Sequence, residues 1–268
     1  MTISPHIEPE DENFEGDASI QTPFLFRDSI RSIFLWIIGV PHLIIWTLFV
    51  IIVSKISDTR RVDKALKLMA KAVPLLNGIR ISVENRDLIE SDGTYVYVLN
   101  HVNIFDMFAI YQAIPGYTRS LELAEHFSWP VFGSFIKAVG QIPVDPKNTK
   151  LNAAGLKKAE DMLKNGDSLV VLPEGQRTLD GTVGPFYKGA FRLAIKSQRP
   201  VMPMAIYGGR TVSRRGDWRI RPGKIQVIFG NPIPTKGMTL DNVEELTNQS
   251  KTAVINILKA ENRKNNFN

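Results

Sequence analysis

The longest hydrophobic run in the chain, residues 33 to 53, reads "IFLWIIGVPHLIIWTLFVIIV" and carries no charged side chain. Its 21 residues reach roughly 30 Å as a helix, the thickness of a bilayer core. Arg27 and Arg31 precede it, and Lys55, Arg60 and Arg61 follow. Pro41 removes a helical hydrogen bond and crowds the preceding turn, and Gly39 loosens the same turn. The pattern therefore predicts two helices, near residues 28 to 40 and 42 to 56, forming a hairpin that dips into one leaflet. A single span and a buried helix of a soluble protein are the alternatives. The run starts too far into the chain to be a cleavable signal.

From Val62 onward the pattern becomes that of a globular α/β chain. "VDKALKLMAKAV" has the apolar spacing of an amphipathic helix. "IRISVEN" and "YVYVLN" read as strands, followed by a helix over 104–113, strand "RSLELA", a helix over 130–138 and strand "QIPV". Next come a helix over 149–164, strand "SLVVLPEG", a helix over 187–197, strands "VMPMAIYG" and "KIQVIFGNPI", and a last helix over 239–262. Strands alternating with helices predict one α/β domain with a mostly parallel central sheet flanked by helices. The expected organisation is an acidic tail over 1–22, a membrane-associated helical segment over 23–60, and the α/β domain over 61–268.

Composition narrows the chemistry. With 33 Lys and Arg against 27 Asp and Glu, the net charge of +6 suits an anionic partner. The absence of cysteine excludes disulfides, zinc-thiolate sites and thiol nucleophiles. Neither a P-loop nor a dinucleotide fingerprint is present, and His42 and His126 lack metal-ligand spacing, so no metal or resident cofactor is expected. Nucleic acid is disfavoured, because the basic stretch "GGRTVSRRGDWRIRPGK" has one aromatic and matches no binding motif.

Ligands of such sheets gather at the carboxyl ends of strands, where two unusual strings fall, "NHVNIFD" and "PEGQRT". His101 and Asp106 would lie roughly 140° apart on a regular helix and could not touch. A strand ending near Asn100 and a helix starting near Ile104 would instead fold the carboxylate back onto the imidazole. The plainer reading is that the two residues only cap the following helix, and that "PEGQRT" is only a tight turn.

Together with "PVDPKN" and "VMPMAIYG", these strings resemble, in order and spacing over residues 95 to 210, the four blocks of the glycerolipid acyltransferases. That family comprises the 1-acylglycerol-3-phosphate acyltransferases and their lysophospholipid relatives. The resemblance implies that His101 is the general base and Asp106 its orienting carboxylate. Imidazole titrates near ~6.5 and accepts the proton of an attacking alcohol at neutral pH. The lack of a G-x-S-x-G elbow favours direct transfer over an acyl-enzyme.

The same resemblance gives Glu174, Gly175 and Arg177 to acceptor binding, and Pro203 to a loop beside the site. It implies acyl-coenzyme A or acyl-carrier protein as co-substrate and a lysophospholipid acceptor; the apolar run over 33–53 adds a phospholipid membrane as partner, and the location of thioester donors an active site on the cytoplasmic face. Two family cations are missing or moved. Pro143, Val144, Asp145 and Pro146 stand where F-I-D-R is usual, and Ala124 where a lysine is usual. Lys137, Lys147 and Lys188 are the candidate replacements. The altered block points to a lysophosphodiester or lyso-aminolipid as the rival acceptor. A non-catalytic lipid-binding module and a lipid hydrolase or transacylase are the rivals of other classes. The basic stretch reads as an exposed hairpin, a contact with an anionic bilayer, or a contact with coenzyme A phosphates.

Overall fold

The computed structural model describes residues 16–17, 23–145 and 147–266. The acidic tail expected over 1–22 lies outside the described residues, apart from Gly16 and Asp17.

The apolar run forms one helix, α1 (Phe26–Ile56), with Pro41 inside it. The break expected at Gly39 to Pro41 does not occur. A proline costs the helix one backbone donor locally. The turns on its C-terminal side are held from outside, where Leu43, Trp46, Val50 and Val53 pack with α2 (Thr59–Leu76). In α2 the buried positions include Val62, Ala65, Leu66, Met69, Ala70 and Val73, the spacing of an amphipathic helix. The polarity of α1 is inverted. Its buried residues are Asp28, Ser32, Thr47 and Val50, while Phe34, Ile37 and Ile45 are 60%, 63% and 66% exposed.

Seven strands follow: β1 (Ile79–Glu84), β2 (Val96–Leu99), β3 (Thr118–Leu123), β4 (Ile142–Val144), β5 (Ser168–Val171), β6 (Val201–Tyr207) and β7 (Gly223–Phe229). They make one sheet in the order β1-β7-β6-β2-β5-β3-β4. Every pairing is parallel except that of β6 with β7. All four residues of β2 are buried, as expected of a central strand covered on both faces. One face packs on α5 (Thr149–Lys164), α6 (Gly189–Ser197) and α8 (Val243–Asn266) through Ala159, Leu163, Phe191, Ala194 and Leu258. The other packs on α3 (Asp106–Ala113) through Ala109, Ile110 and Ala113. The short helix α4 (Phe132–Ala138) adds Phe135 to the cluster that α1 and α2 share.

Pro203 sits within β6 and not in a loop. The ladder with β7 begins only at Met204, and the carbonyl of Pro203 accepts from Gly230, so its missing N–H interrupts nothing there. The basic stretch is not an exposed hairpin. It forms one helical turn, α7 (Gly209–Val212), and then a segment that buries Val212, Ser213 and Ile220. This segment receives α1: Ile220 N–H donates to Ser32 Oγ at 2.9 Å, Trp36 Nε1 donates to the Trp218 carbonyl at 2.7 Å, and Arg221 pairs with Asp28 at 2.6 Å.

Candidate active site

β2 is followed by Asn100, a buried polar residue whose amide exchanges two hydrogen bonds with the backbone of Ile206 in β6, at 2.8 and 3.0 Å. That clamp fixes the point where the chain leaves the sheet. The next residues turn tightly, with Phe105 N–H donating to Asn103 Oδ1 at 2.6 Å, and α3 then starts at Asp106. The turn brings the ends of the first string together. His101 Nδ1 lies 2.6 Å from Asp106 Oδ2. The same oxygen accepts the N–H groups of Val102 at 2.7 Å and Asn103 at 3.0 Å.

Asp106 is fully buried, whereas the His101 side chain is 23% exposed. An acceptor-only carboxylate on Nδ1 requires the proton to sit on that nitrogen. The lone pair is therefore left on Nε2.

The "PEGQRT" turn leaves β5, the strand beside β2, and its first functional residue faces inward. Glu174 Oε1 accepts the N–H of His101 at 2.9 Å, and Oε2 accepts that of Gly184 at 2.8 Å. Burial pushes the Glu174 carboxyl above its ordinary range, and these two N–H groups oppose the shift. Oε1 thus ties the two strings together, and Oε2 ties the turn to Gly184. Thr178 N–H closes the junction by donating to the His101 carbonyl at 2.8 Å.

Gly175 has φ +70°, a conformation open to glycine, and the Tyr187 ring lies 3.1 Å from where a Cβ would be. Arg177 is half-buried, and its guanidinium has no ion pair among the described residues. Its carbonyl is held by Arg215 Nη1 at 2.6 Å.

The two lysine candidates differ: Lys188 follows Tyr187, which packs on the Gly175 turn, whereas Lys147 lies farther along the sheet. Lys188 pairs with Glu244 at 2.9 Å. Lys147 follows β4, three strand spacings or about 14 Å of sheet from β2. Gly184 and Asn100 are site residues that sequence reasoning missed, and Arg215, part of the basic stretch, is found at the Arg177 carbonyl. Only Asn100 leaves a trace in the sequence, as an amide ending an apolar strand. Among the described residues no group of three or more His, Asp or Glu side chains is placed to hold a metal ion.

Residues 80–207 match the family described as Acyltransferase. The chain is 30% identical over 159 residues to the 1-acyl-sn-glycerol-3-phosphate acyltransferase of Cocos nucifera, covering 59% of this chain and 51% of that protein. It is 28% identical over 197 residues to 1-acyl-sn-glycerol-3-phosphate acyltransferase alpha of Homo sapiens, covering 73% and 70%. The chain thus spans about half the length of the coconut protein. Among solved structures it is similar to the 1-acyl-sn-glycerophosphate (LPA) acyltransferase PlsC of Thermotoga maritima. The TM-score is 0.74 at 23% identity, over 88% of this chain and 96% of that one, which shows a shared fold.

Proposed function

We propose, from the match of residues 80–207 to the acyltransferase family, that the protein moves a fatty acyl group from an acyl thioester to the free hydroxyl of a lysophospholipid. The first acceptor is 1-acylglycerol-3-phosphate, with phosphatidate as product. The observation that carries the reading is the 2.6 Å contact between His101 Nδ1 and the buried Asp106.

In this mechanism Nε2 of His101 removes the hydroxyl proton as the oxygen attacks the thioester carbonyl, and Asp106 stabilises the imidazolium that forms. Collapse of the tetrahedral intermediate breaks the C–S bond, and the proton on Nε2 passes to the departing thiolate. Arg177, with no competing carboxylate, is the donor assigned to the acceptor's phosphate. The exposed apolar surface of α1 supports seating in a membrane. Thioester donors then place the site on the cytoplasmic face.

The test is acyl transfer by the detergent-solubilised protein, with labelled acyl-coenzyme A or acyl-carrier protein, against lysophosphatidate and other lysolipids. His101→Ala is expected to lose about 10² to 10⁴ in rate with its melting temperature kept. A folded variant with undiminished turnover would reject the assignment. One observation favours a second acceptor class. With Lys188 engaged by Glu244 and Lys147 displaced, Arg177 lacks the family's accompanying cations. Product from other lysolipids alone would make that loss the determinant of specificity.

A further inference from the structure

β7 runs antiparallel to β6, so its first residues, and those of β1 beside it, lie at the same end of the sheet as His101. There the start of α1 and the segment before β7 enclose a cavity of about 610 Å³, lined by Arg27, Arg31 and Arg221 together with Leu25, Asp28 and Pro222. Beyond Pro222 a second cavity of about 660 Å³ adds Arg80 and Lys224. Arg27 and Arg31 are one helical turn apart and share a face of α1. The Arg31 guanidinium reaches Gly78, a lining residue of the second cavity, and so bridges the two.

Five cations therefore face one carboxylate, Asp28, which Arg221 engages at 2.6 Å. Arg27, Arg31, Arg80 and Lys224 have no carboxylate partner among the described residues. Behind them, the guanidinium groups of Arg214, Arg219 and Arg221 stand 4.9, 4.8 and 4.6 Å from the Phe24 ring centroid. Asp217 and Asp28 already pair with Arg219 and Arg221, which leaves Arg27, Arg31, Arg80 and Lys224 as the cations facing the recess, and guanidinium forks match phosphate oxygens in pairs.

The cavity opens where the apolar surface of α1 begins, with Phe26 81% and Phe34 60% exposed. Phosphate chemistry and acyl chemistry thus meet at one mouth. We propose that this recess binds the phosphate of an anionic phospholipid, whose chains lie along Phe26, Ile30 and Phe34. It stands two to three strand spacings, about 10 to 14 Å, from the end of β2, and is separate from the acceptor site. The inference rests on the membrane seating proposed for α1. It makes turnover depend on the anionic lipid content of the surface.

The experiment follows the melting temperature of the full-length, detergent-solubilised protein at low ionic strength, titrated separately with short-chain phosphatidylglycerol, short-chain phosphatidylcholine, coenzyme A and inorganic phosphate. Ligand that binds only the folded state raises the melting temperature, so no turnover is needed and the outcome is independent of the transfer assay. Phosphatidylglycerol is expected to stabilise and phosphatidylcholine not. The Arg27→Gln/Arg31→Gln double variant is expected to bind at least about tenfold more weakly, whereas Arg177→Ala keeps the full shift. An equal shift in the double variant overturns the site. A shift with coenzyme A or phosphate but not with phosphatidylglycerol overturns the lipid assignment. A lipid response that appears only when Glu8, Glu10, Asp11, Glu12 and Glu15 are replaced by their amides gives the recess to the acidic N-terminal segment and also overturns it.

Discussion

Asp106 holds three donors on one oxygen, and two of them are backbone groups of the turn that carries His101. The carboxylate therefore builds the turn as well as orienting the ring. Asp106→Asn is expected to lower both the rate and the melting temperature, since an amide cannot accept equally from all three. His101→Ala lowers the rate alone, and parallel kinetics and melting curves separate the two.

Glu174 gives a pH signature of opposite sign to that of a salt-bridged carboxylate. Its folded pKa lies above the ordinary glutamate value of about 4.3, so charging it costs folding free energy. Below that value the cost is absent. As pH rises through the raised folded pKa the cost is imposed in full. Glu174→Gln has no such dependence but leaves one of the two N–H donors of His101 and Gly184 poorly matched. The melting-temperature advantage of the native protein over Glu174→Gln is thus largest in mild acid and narrows toward neutrality. An advantage that widens with pH would reject this account.

The pairing of His101 with Asp106 was legible from the sequence because the strand-to-helix transition between them is written in the residue pattern. The inward turn of Glu174 was not. Its partners are backbone N–H groups, one of them 73 residues away, and a backbone group leaves no mark in the amino-acid sequence.

Among the elements, α5 is expected over 149–164 and observed over Thr149–Lys164, because Asn148 caps it and its apolar spacing is regular. The strands were legible for a different reason: they are short, apolar and buried on both faces. What hydropathy alone does not show is that packing on α2 carries α1 through Pro41, or that residues 212–220 are drawn inward by α1. Both depend on contacts between distant segments. A close approach elsewhere gives a test at this scale. A Cβ on Gly155 of α5 would lie 2.2 Å from the Pro143 carbonyl oxygen of β4. Gly155→Ala gains about 1 kcal/mol of helix propensity but overpacks the contact by about 1 to 3 kcal/mol. With so short an approach to backbone the clash decides the sign, and thermal unfolding should show a net loss.

For the whole molecule, charge and apolar surface are arranged about one rim. The net charge of +6 says nothing about where the cations lie, and the reversal of β7 is what carries them to the side of His101. The exposed side chains of α1 make a further prediction: in native membranes the protein stays in the pellet through high salt and alkaline carbonate. Release by salt alone would show that basic contacts, and not α1, hold it there.

The edge position of β1 bears on how the chain is made. Among the described residues β1 pairs only with β7, so this first strand cannot join the sheet until residue 229 has left the ribosome. α1 can pack on α2 at once, but the partners of its first turns at Trp218, Ile220 and Arg221 emerge only about 180 residues later. During that interval β2 to β6 can pair among themselves, while β1 and the buried Asp28 and Ser32 of α1 wait for β7 and the segment before it. The edge strand made first is therefore among the last to be fixed, and the ordering of the sheet runs against the order of its synthesis.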